Sequence, residues 1–385
     1  MTIIIKFKEV RDLKKHIKSL NKMFEGELKN GLSEELEAID KDIIENKYKG
    51  IIIYPEAVRW EPVQRPQHLL KKFAENNYLC FFIEHNPNEN KILKEVFPNL
   101  FIVNRAEKLL PLLKKHKVIF YITYFLQYEY AKQFENKTIW LDIVDRLDFF
   151  ALYNSYSKKI WKKIISKADI LSYSAAELKK YIKSREDAIL LPNAVNPEDF
   201  IVEIDKVPSK LNKIDHTRPT IGYFGVIEEW FDWSIIKKID DINLYNIVLI
   251  GPINSNINID ELNLKNTYMM GRIEYKELKK YAKVFNIAII PFIVNDLTNS
   301  VSPIKFFEYL ATNKPIITTN ISEMKKYNSN IVKIIDETTD IENVIEELLK
   351  IDEKNIREEA MRLLQGNTWQ NRYQIIEEKI EGALK

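Results

Sequence analysis

A chain of 385 residues with 45% hydrophobic content is long for one core and ample for two α/β cores. Its 58 basic residues nearly balance its 56 acidic ones, for a net charge of +2, so no basic field points to nucleic acid. The single cysteine, Cys80, excludes a disulfide within the chain and agrees with a reducing cytoplasm. No run approaches the roughly 18 apolar residues of a membrane span.

Residues 5–47 are rich in charge and lack strand signals. Phe7, Val10, Ile17, Leu20 and Phe24 follow helical spacing, which predicts two helices broken near Asn30-Gly31. Lys6, Lys8 and Arg11 come after a short apolar patch, the wrong order for a secretory signal. This arm could touch anionic lipid, pair with another subunit, or pack on its own domain. Apolar runs then recur at 50–54, 79–83, 100–103, 117–122, 138–144, 169–173 and 187–191, with helical patterns between most of them. Cys80 sits inside one such run, YLCFFI, as a buried strand residue. The alternation predicts a parallel sheet covered by helices on both faces. Residues 192–218 turn polar and proline-rich and read as a linker. A second series of strands follows near 219–224, 246–251, 267–270, 287–292, 315–319 and 331–335. Trp369 to Leu384 is amphipathic and helical.

The stretch FNIAIIPFIVNDLTNSVSPIKFFEYLATNKPIITT, Phe285 to Thr319, carries the most chemistry. It reads as strand, polar loop, capped helix and strand. Ser302 suits the N-cap and Pro303 the first helical position. Lys305 and Glu308 lie three apart and project from one helix face. A helix start favours phosphate, a lysine adds charge to a diphosphate, and a carboxylate accepts two hydrogen bonds from a ribose diol. Taken alone, the same pair could be a solvated surface contact.

The string SPIKFFEYLATNKPIITT resembles the donor-site motif of GT-B glycosyltransferases, in the family 4-like branch. The resemblance implies an α/β GT-B fold: two Rossmann-like domains facing a central cleft, with an N-terminal helical arm and a C-terminal crossover helix. The expected boundaries are 1–48 for the arm, 49–205 for the acceptor domain, 206–365 for the donor domain and 366–385 for the helix crossing back. Family 4 enzymes often carry two glutamates with seven residues between them, the earlier one near the donor sugar. Here Ser300 stands at that position. The sugar would then fall to the polar loop NDLTNS, through Asn295, Asp296, Thr298, Asn299 or Ser300. In this the chain is similar to the teichuronic-acid-type glycosyltransferases, whose loop is also polar.

Other segments continue the resemblance. In PTIGYFGVIEEWFDW, Gly225 ends a strand and could let backbone approach a phosphate or sugar, or simply form a turn. Asp232 suits the N-cap of a helix beginning near Trp233. Arg272 follows a strand end and could reach the diphosphate as a planar donor fork, while Tyr275 and Leu278 read as packing residues. In RWEPVQRPQHLLKKFAENNYLC, Gln64 to Asn76 has helical spacing. Arg65 could bind a phosphate of acceptor or donor. His68 could be a base or acceptor ligand, or a structural histidine. In WLDIVDRLDFF, Asp145 follows the apolar run and could deprotonate an acceptor hydroxyl, whereas Asp142 could anchor the loop. Ser172–Ser174 would form a turn before a further helix. Asn193 and Ala194 would set an interdomain hinge. No zinc-ligand spacing occurs among five histidines and one cysteine.

The expected function is therefore transfer of a sugar from a nucleotide-diphosphate sugar to a hydroxyl acceptor in cell-surface polysaccharide or glycoconjugate synthesis. The enzyme would be a metal-independent transferase of hexosyl type, with no cofactor beyond the nucleotide-diphosphate sugar co-substrate. Donor binding would use Gly225, Arg272, Asn299, Ser300, Ser302, Lys305 and Glu308; Asp145 and His68 would serve catalysis. The acceptor class stays open among glycan, lipid-linked sugar and protein. The expected location is cytoplasmic, with peripheral contact at the inner membrane face and homo-oligomerisation through the arm both left open. The alternatives are a sugar-nucleotide epimerase of the same fold and a non-catalytic GT-B-fold interaction protein.

Overall fold

A computed structural model of the chain describes residue 18 and residues 34–384, apart from 46, 85, 87, 88, 90, 150–154, 202–207 and 255–257. Most of the arm, including Phe7, Val10, Ile17, Leu20, Phe24 and the break at Asn30-Gly31, lies outside the described residues. The chain divides into two compact units. The first comprises Met1–Pro192 and Trp369–Lys385, and the second Asn193–Thr368.

The first unit runs α1 (Glu34–Ile44), β1 (Gly50–Tyr54), α2 (Arg65–Glu75), β2 (Tyr78–Ile83), β3 (Leu93–Phe97), β4 (Leu100–Val103), α3 (Ala106–Leu113), β5 (Val118–Ile122), a short α4 (Tyr128–Ala131), β6 (Lys137–Ile143), α5 (Ser155–Lys167), β7 (Ile170–Tyr173) and β8 (Ile189–Leu190). Its sheet has the order β3-β4-β2-β1-β5-β6-β7-β8. Every pairing is parallel except β3 with β4. The strands read as continuous apolar runs because helices cover both faces. β3 escapes sequence reading: only Leu93 of LKEVF is buried, and two charges sit on exposed positions of this edge strand. Leu36 and Ile39 of α1 are buried, and its Asp40 is held by Lys115 at 2.7 Å and His116 at 3.2 Å. For these described residues the arm packs on its own unit. The helix expected after the Ser172–Ser174 region is a 3₁₀ segment, Ala176–Tyr181.

The second unit runs β9 (Thr220–Phe224), α6 (Trp233–Ile242), β10 (Asn246–Ile250), β11 (Thr267–Gly271), α7 (Tyr275–Ala282), β12 (Ile287–Ile290), α8 (Ile304–Ala311), β13 (Ile316–Thr319), β14 (Val332–Ile335), α9 (Ile341–Leu349) and α10 (Glu353–Leu364). Its sheet is parallel throughout, ordered β11-β10-β9-β12-β13-β14. In chain order this is 3-2-1-4-5-6, the doubly wound pattern whose switch point lies between the first and fourth strands. Asp232 caps α6 by accepting from the Ser234 amide at 2.9 Å. Gly222 lies inside β9 where a Cβ would fall 2.2 Å from the Phe285 ring, so a side chain is excluded by packing.

The last helix, α11 (Trp369–Leu384), belongs to the first unit. Trp369, Tyr373, Ile376 and Ile380 are buried. Trp369 stacks on His68 at 5.1 Å between centroids, and Tyr373 packs edge-on to Phe73 at 4.9 Å. The units change over at Pro192/Asn193 and Thr368/Trp369, rather than at 205/206 and 365/366. Phe200 is already part of the second core, and Val195 bridges in parallel to Thr368.

Candidate functional site

The carboxyl ends of β9 and β12 flank the switch point of the second sheet. A doubly wound sheet binds ligands at this crevice, because the diverging helices leave it uncovered. Loops from the two strands are tied together here: the Asp232 amide donates to the Pro291 carbonyl at 2.7 Å and the Ile293 amide to the Trp230 carbonyl at 2.8 Å. α8 is pinned to the same place, since the Phe224 amide donates to the Tyr309 hydroxyl at 2.9 Å.

Gly225 ends β9 with φ +141, and a Cβ there would lie 1.7 Å from Lys305 Cε and 2.5 Å from its Nζ. The backbone angle is what demands glycine, and the flexible end of Lys305 crosses the space a Cβ would take. Gly251, at the end of β10 with φ +140, would place a Cβ 1.9 Å from the Gly225 carbonyl oxygen. Gly251 thus supports Gly225, and Gly225 makes room for Lys305.

Lys305 is half-buried, with Nζ 5.8 Å from the Tyr223 ring centroid. Burial holds its ammonium below the usual lysine range, and Glu308 pulls the other way. Glu308 is 4% exposed, so the solvated-pair reading does not describe it. Burial pushes its carboxyl up to about 7, opposed by Lys305 and by the Tyr275 hydroxyl, while Asp199 adds to the rise. A carboxylate in this state gains from donors that stabilise its charged form, such as a vicinal diol.

The loop before α8 is ordered by its own side chains. Asn295 Oδ1 accepts from the Leu297 and Thr298 amides at 2.9 and 3.1 Å. Asn299 Oδ1 accepts from the Ser322 amide at 2.9 Å, and the Ser300 hydroxyl donates to the Asp296 carbonyl at 3.0 Å. The expectation that Ser302 caps the helix is corrected: α8 starts at Ile304 and its cap is Pro303, with no side-chain cap bond. Ser302 Oγ instead accepts from the Asn193 amide at 3.1 Å. The side chains of Asn299, Ser300 and Ser302 therefore build the loop, and the Ile304 and Lys305 amides at the helix start are the groups lacking intrahelical acceptors. Arg272 is exposed just after β11.

In the first unit, Arg65 opens α2 and its guanidinium is buried against Asp142: Nε to Oδ2 is 2.6 Å and Nη2 to Oδ1 is 3.1 Å. The Tyr121 and Ser172 hydroxyls donate to the same carboxylate at 3.0 and 2.7 Å. Ser172 also accepts from Trp140 Nε1 at 2.9 Å, so it is a strand residue in a buried network and not part of a turn. Such bidentate pairing commits Arg65 to the fold, in place of the phosphate contact expected of it. His68 is buried and stacked on Trp369, and burial followed by the charges of Lys71 and Lys72 lowers its imidazole to about 3. A group this hard to protonate is a poor proton acceptor near neutrality, and the packing supports the structural reading of His68. Asp145 is buried just after β6.

The sequence reading singled out neither Gly251 nor the polar role of Tyr275. A glycine-proline pair directly after a strand was the available signal for the first. Nothing in the spacing of Tyr275 announces a hydroxyl facing Glu308. Among the described residues no group of three or more His, Cys, Asp or Glu side chains is placed to hold a metal ion.

No family model matches the chain. A curated protein of Bacillus subtilis (strain 168), provisionally named teichuronic acid biosynthesis glycosyltransferase TuaH, is 27% identical over 192 residues. That match spans 46% of this chain and 47% of the relative, so the chain matches about half the length of the curated relative. Among solved structures, a sucrose-phosphate synthase from Thermosynechococcus elongatus superposes with TM-score 0.62 at 13% identity, covering 87% of this chain and 99% of that one. Anabaena HepE, in complex with UDP and glucose, superposes with TM-score 0.60 at 9% identity, covering 86% and 99%. The α,α-trehalose 6-phosphate synthase of Burkholderia multivorans gives 0.61 at 8% identity, covering 88% and 97%. Two Rossmann-like units in tandem, the first with a parallel sheet apart from its β3 edge and the second parallel throughout, give this chain the GT-B fold of those solved structures.

Proposed function

We propose that the chain is a glycosyltransferase that moves a sugar from a nucleoside diphosphate donor to a hydroxyl acceptor in polysaccharide or glycoconjugate synthesis. One observation carries the reading: Lys305 and Glu308 are held together at the switch point of the second sheet, beside a glycine that clears the lysine's path. Glu308 accepts the ribose hydroxyls. Lys305 and the first amides of α8 face the diphosphate and stabilise the charge that grows on it as the sugar leaves. That stabilisation uses the protein's own groups, in keeping with a metal-independent hexosyl transfer. The polar loop of Asn299 and Ser300 borders the sugar, and Arg272 adds charge at the diphosphate. Asp145 is the acceptor's base, and a glycan, a lipid-linked sugar or a protein supplies the hydroxyl. UDP is the first nucleotide to try, because HepE is described with UDP and glucose. Among the described residues no helix is long and apolar enough to cross a membrane; an inner-face, peripheral location is part of the proposal.

Calorimetric titration with UDP tests the donor site. Wild type is expected to bind, and Glu308→Ala to bind at least about tenfold more weakly, the size of a lost charge-assisted hydrogen bond. Equal affinity in the two proteins removes Glu308 from the site. Incubation with UDP-glucose alone, followed by NMR of the products, separates transfer from epimerisation, for which no observation in the structure speaks.

A further inference from the structure

Asn193 is the first residue of the second unit. The preceding carbonyl, of Pro192, accepts from Arg372 Nε at 2.8 Å within the first unit. One residue later, Asn193 grips Ser302 at two points: its amide donates to Ser302 Oγ at 3.1 Å, and its Nδ2 donates to the Ser302 carbonyl at 2.6 Å. Ser302 is 4% exposed, and both bonds are part-buried. Two residues further on, the Val195 amide donates to the Asn367 carbonyl at 3.3 Å, beside the point where the chain leaves this unit.

From these contacts we infer that Asn193 is a positioning residue for diphosphate binding, an inference that rests on the donor-site reading above. Ser302 is followed by Pro303, whose ring restricts the backbone, and then by the Ile304 and Lys305 amides that open α8. Little slack separates the grip from the phosphate-facing amides, so a shift of Ser302 moves them. Asparagine is the side chain that suits the position. Its amide donates to a carbonyl, whereas aspartate would set an acceptor against an acceptor and add a negative charge near the diphosphate. Where the chain crosses between units and where the diphosphate sits are thereby linked through one residue that touches no ligand.

UDP and UMP binding by wild type, Asn193→Ala and Asn193→Asp tests this. The alanine variant is expected to lose affinity for UDP by about tenfold while losing less for UMP, so that the UDP-to-UMP affinity ratio falls; the aspartate variant should lose more. A role in stability alone would weaken both nucleotides together, and an unchanged ratio overturns the inference. Should Asn193→Ala fail to fold, Ser302→Ala removes the Oγ acceptor while keeping the carbonyl, and the same ratio should fall roughly two- to threefold; no fall again overturns it. Wild type that binds neither nucleotide sinks the donor-site reading itself, and this inference with it.

Discussion

A buried carboxyl with a raised proton affinity makes a testable link between pH and stability. Glu308 ionises near 7 in the folded chain and near 4.5 when free. The folded state therefore binds a proton more tightly than the unfolded state between those values, and stability falls as pH rises from about 4.5 to about 7. The full span corresponds to at most about 3 kcal/mol. His68 works in the opposite direction, since its folded value of about 3 lies below its free value of 6.5; it withdraws stability as pH falls from about 6.5. Comparing wild type with Glu308→Gln cancels the histidine. The glutamine variant should gain on wild type in thermal midpoint from pH 5 to pH 8, and a constant difference would refute the link. UDP should narrow the gap, because the ribose hydroxyls stabilise the carboxylate that glutamine lacks.

At the scale of elements, α8 and α2 show two uses of the same device, a helix start set against strand ends. α8 keeps its charged side chains at the carboxyl ends of the second sheet's central strands. α2 buries its first arginine on Asp142 of β6 and its first histidine on Trp369 of α11. Removing Asp142 would leave the Arg65 charge without that partner inside the protein. Asp142→Ala should destabilise the first unit by about 3–5 kcal/mol, read as a lower denaturant midpoint for that unit's transition, with the second unit's transition unmoved. A shift below about 1 kcal/mol would mean that the pair is not a structural lock. The element positions themselves were legible. Ile287–Ile290 and Ile316–Thr319 are buried along their whole length, and Asp232 caps a helix because its carboxylate, one residue before the first turn, accepts from the Ser234 amide. β3 was not legible, because an antiparallel edge strand with charged exposed positions has no buried period to detect.

For the molecule as a whole, α11 is sequentially last but packs with the first unit. Ending the chain after Thr368 would uncover the apolar faces met by Trp369, Tyr373, Ile376 and Ile380. Buried aromatic and aliphatic side chains of this size each contribute about 1.5–3 kcal/mol, so the truncated protein should lose the first unit's cooperative unfolding and aggregate. A truncated chain that stays monomeric by size exclusion, with an unchanged first transition, would contradict this. By itself the sequence determined the alternation of strands and helices, the tandem Rossmann-like units, and the Lys305/Glu308 pair, because these follow from local periodicity and from short spacings along one helix. Only the tertiary structure decided which polar residues serve the fold and which face the candidate site. Arg65 and Asp142 are 77 positions apart in the chain, and Asn193 and Ser302 are 109 apart. Whether such groups are consumed by one another depends on which strand ends the topology brings together, and no local pattern encodes that distance.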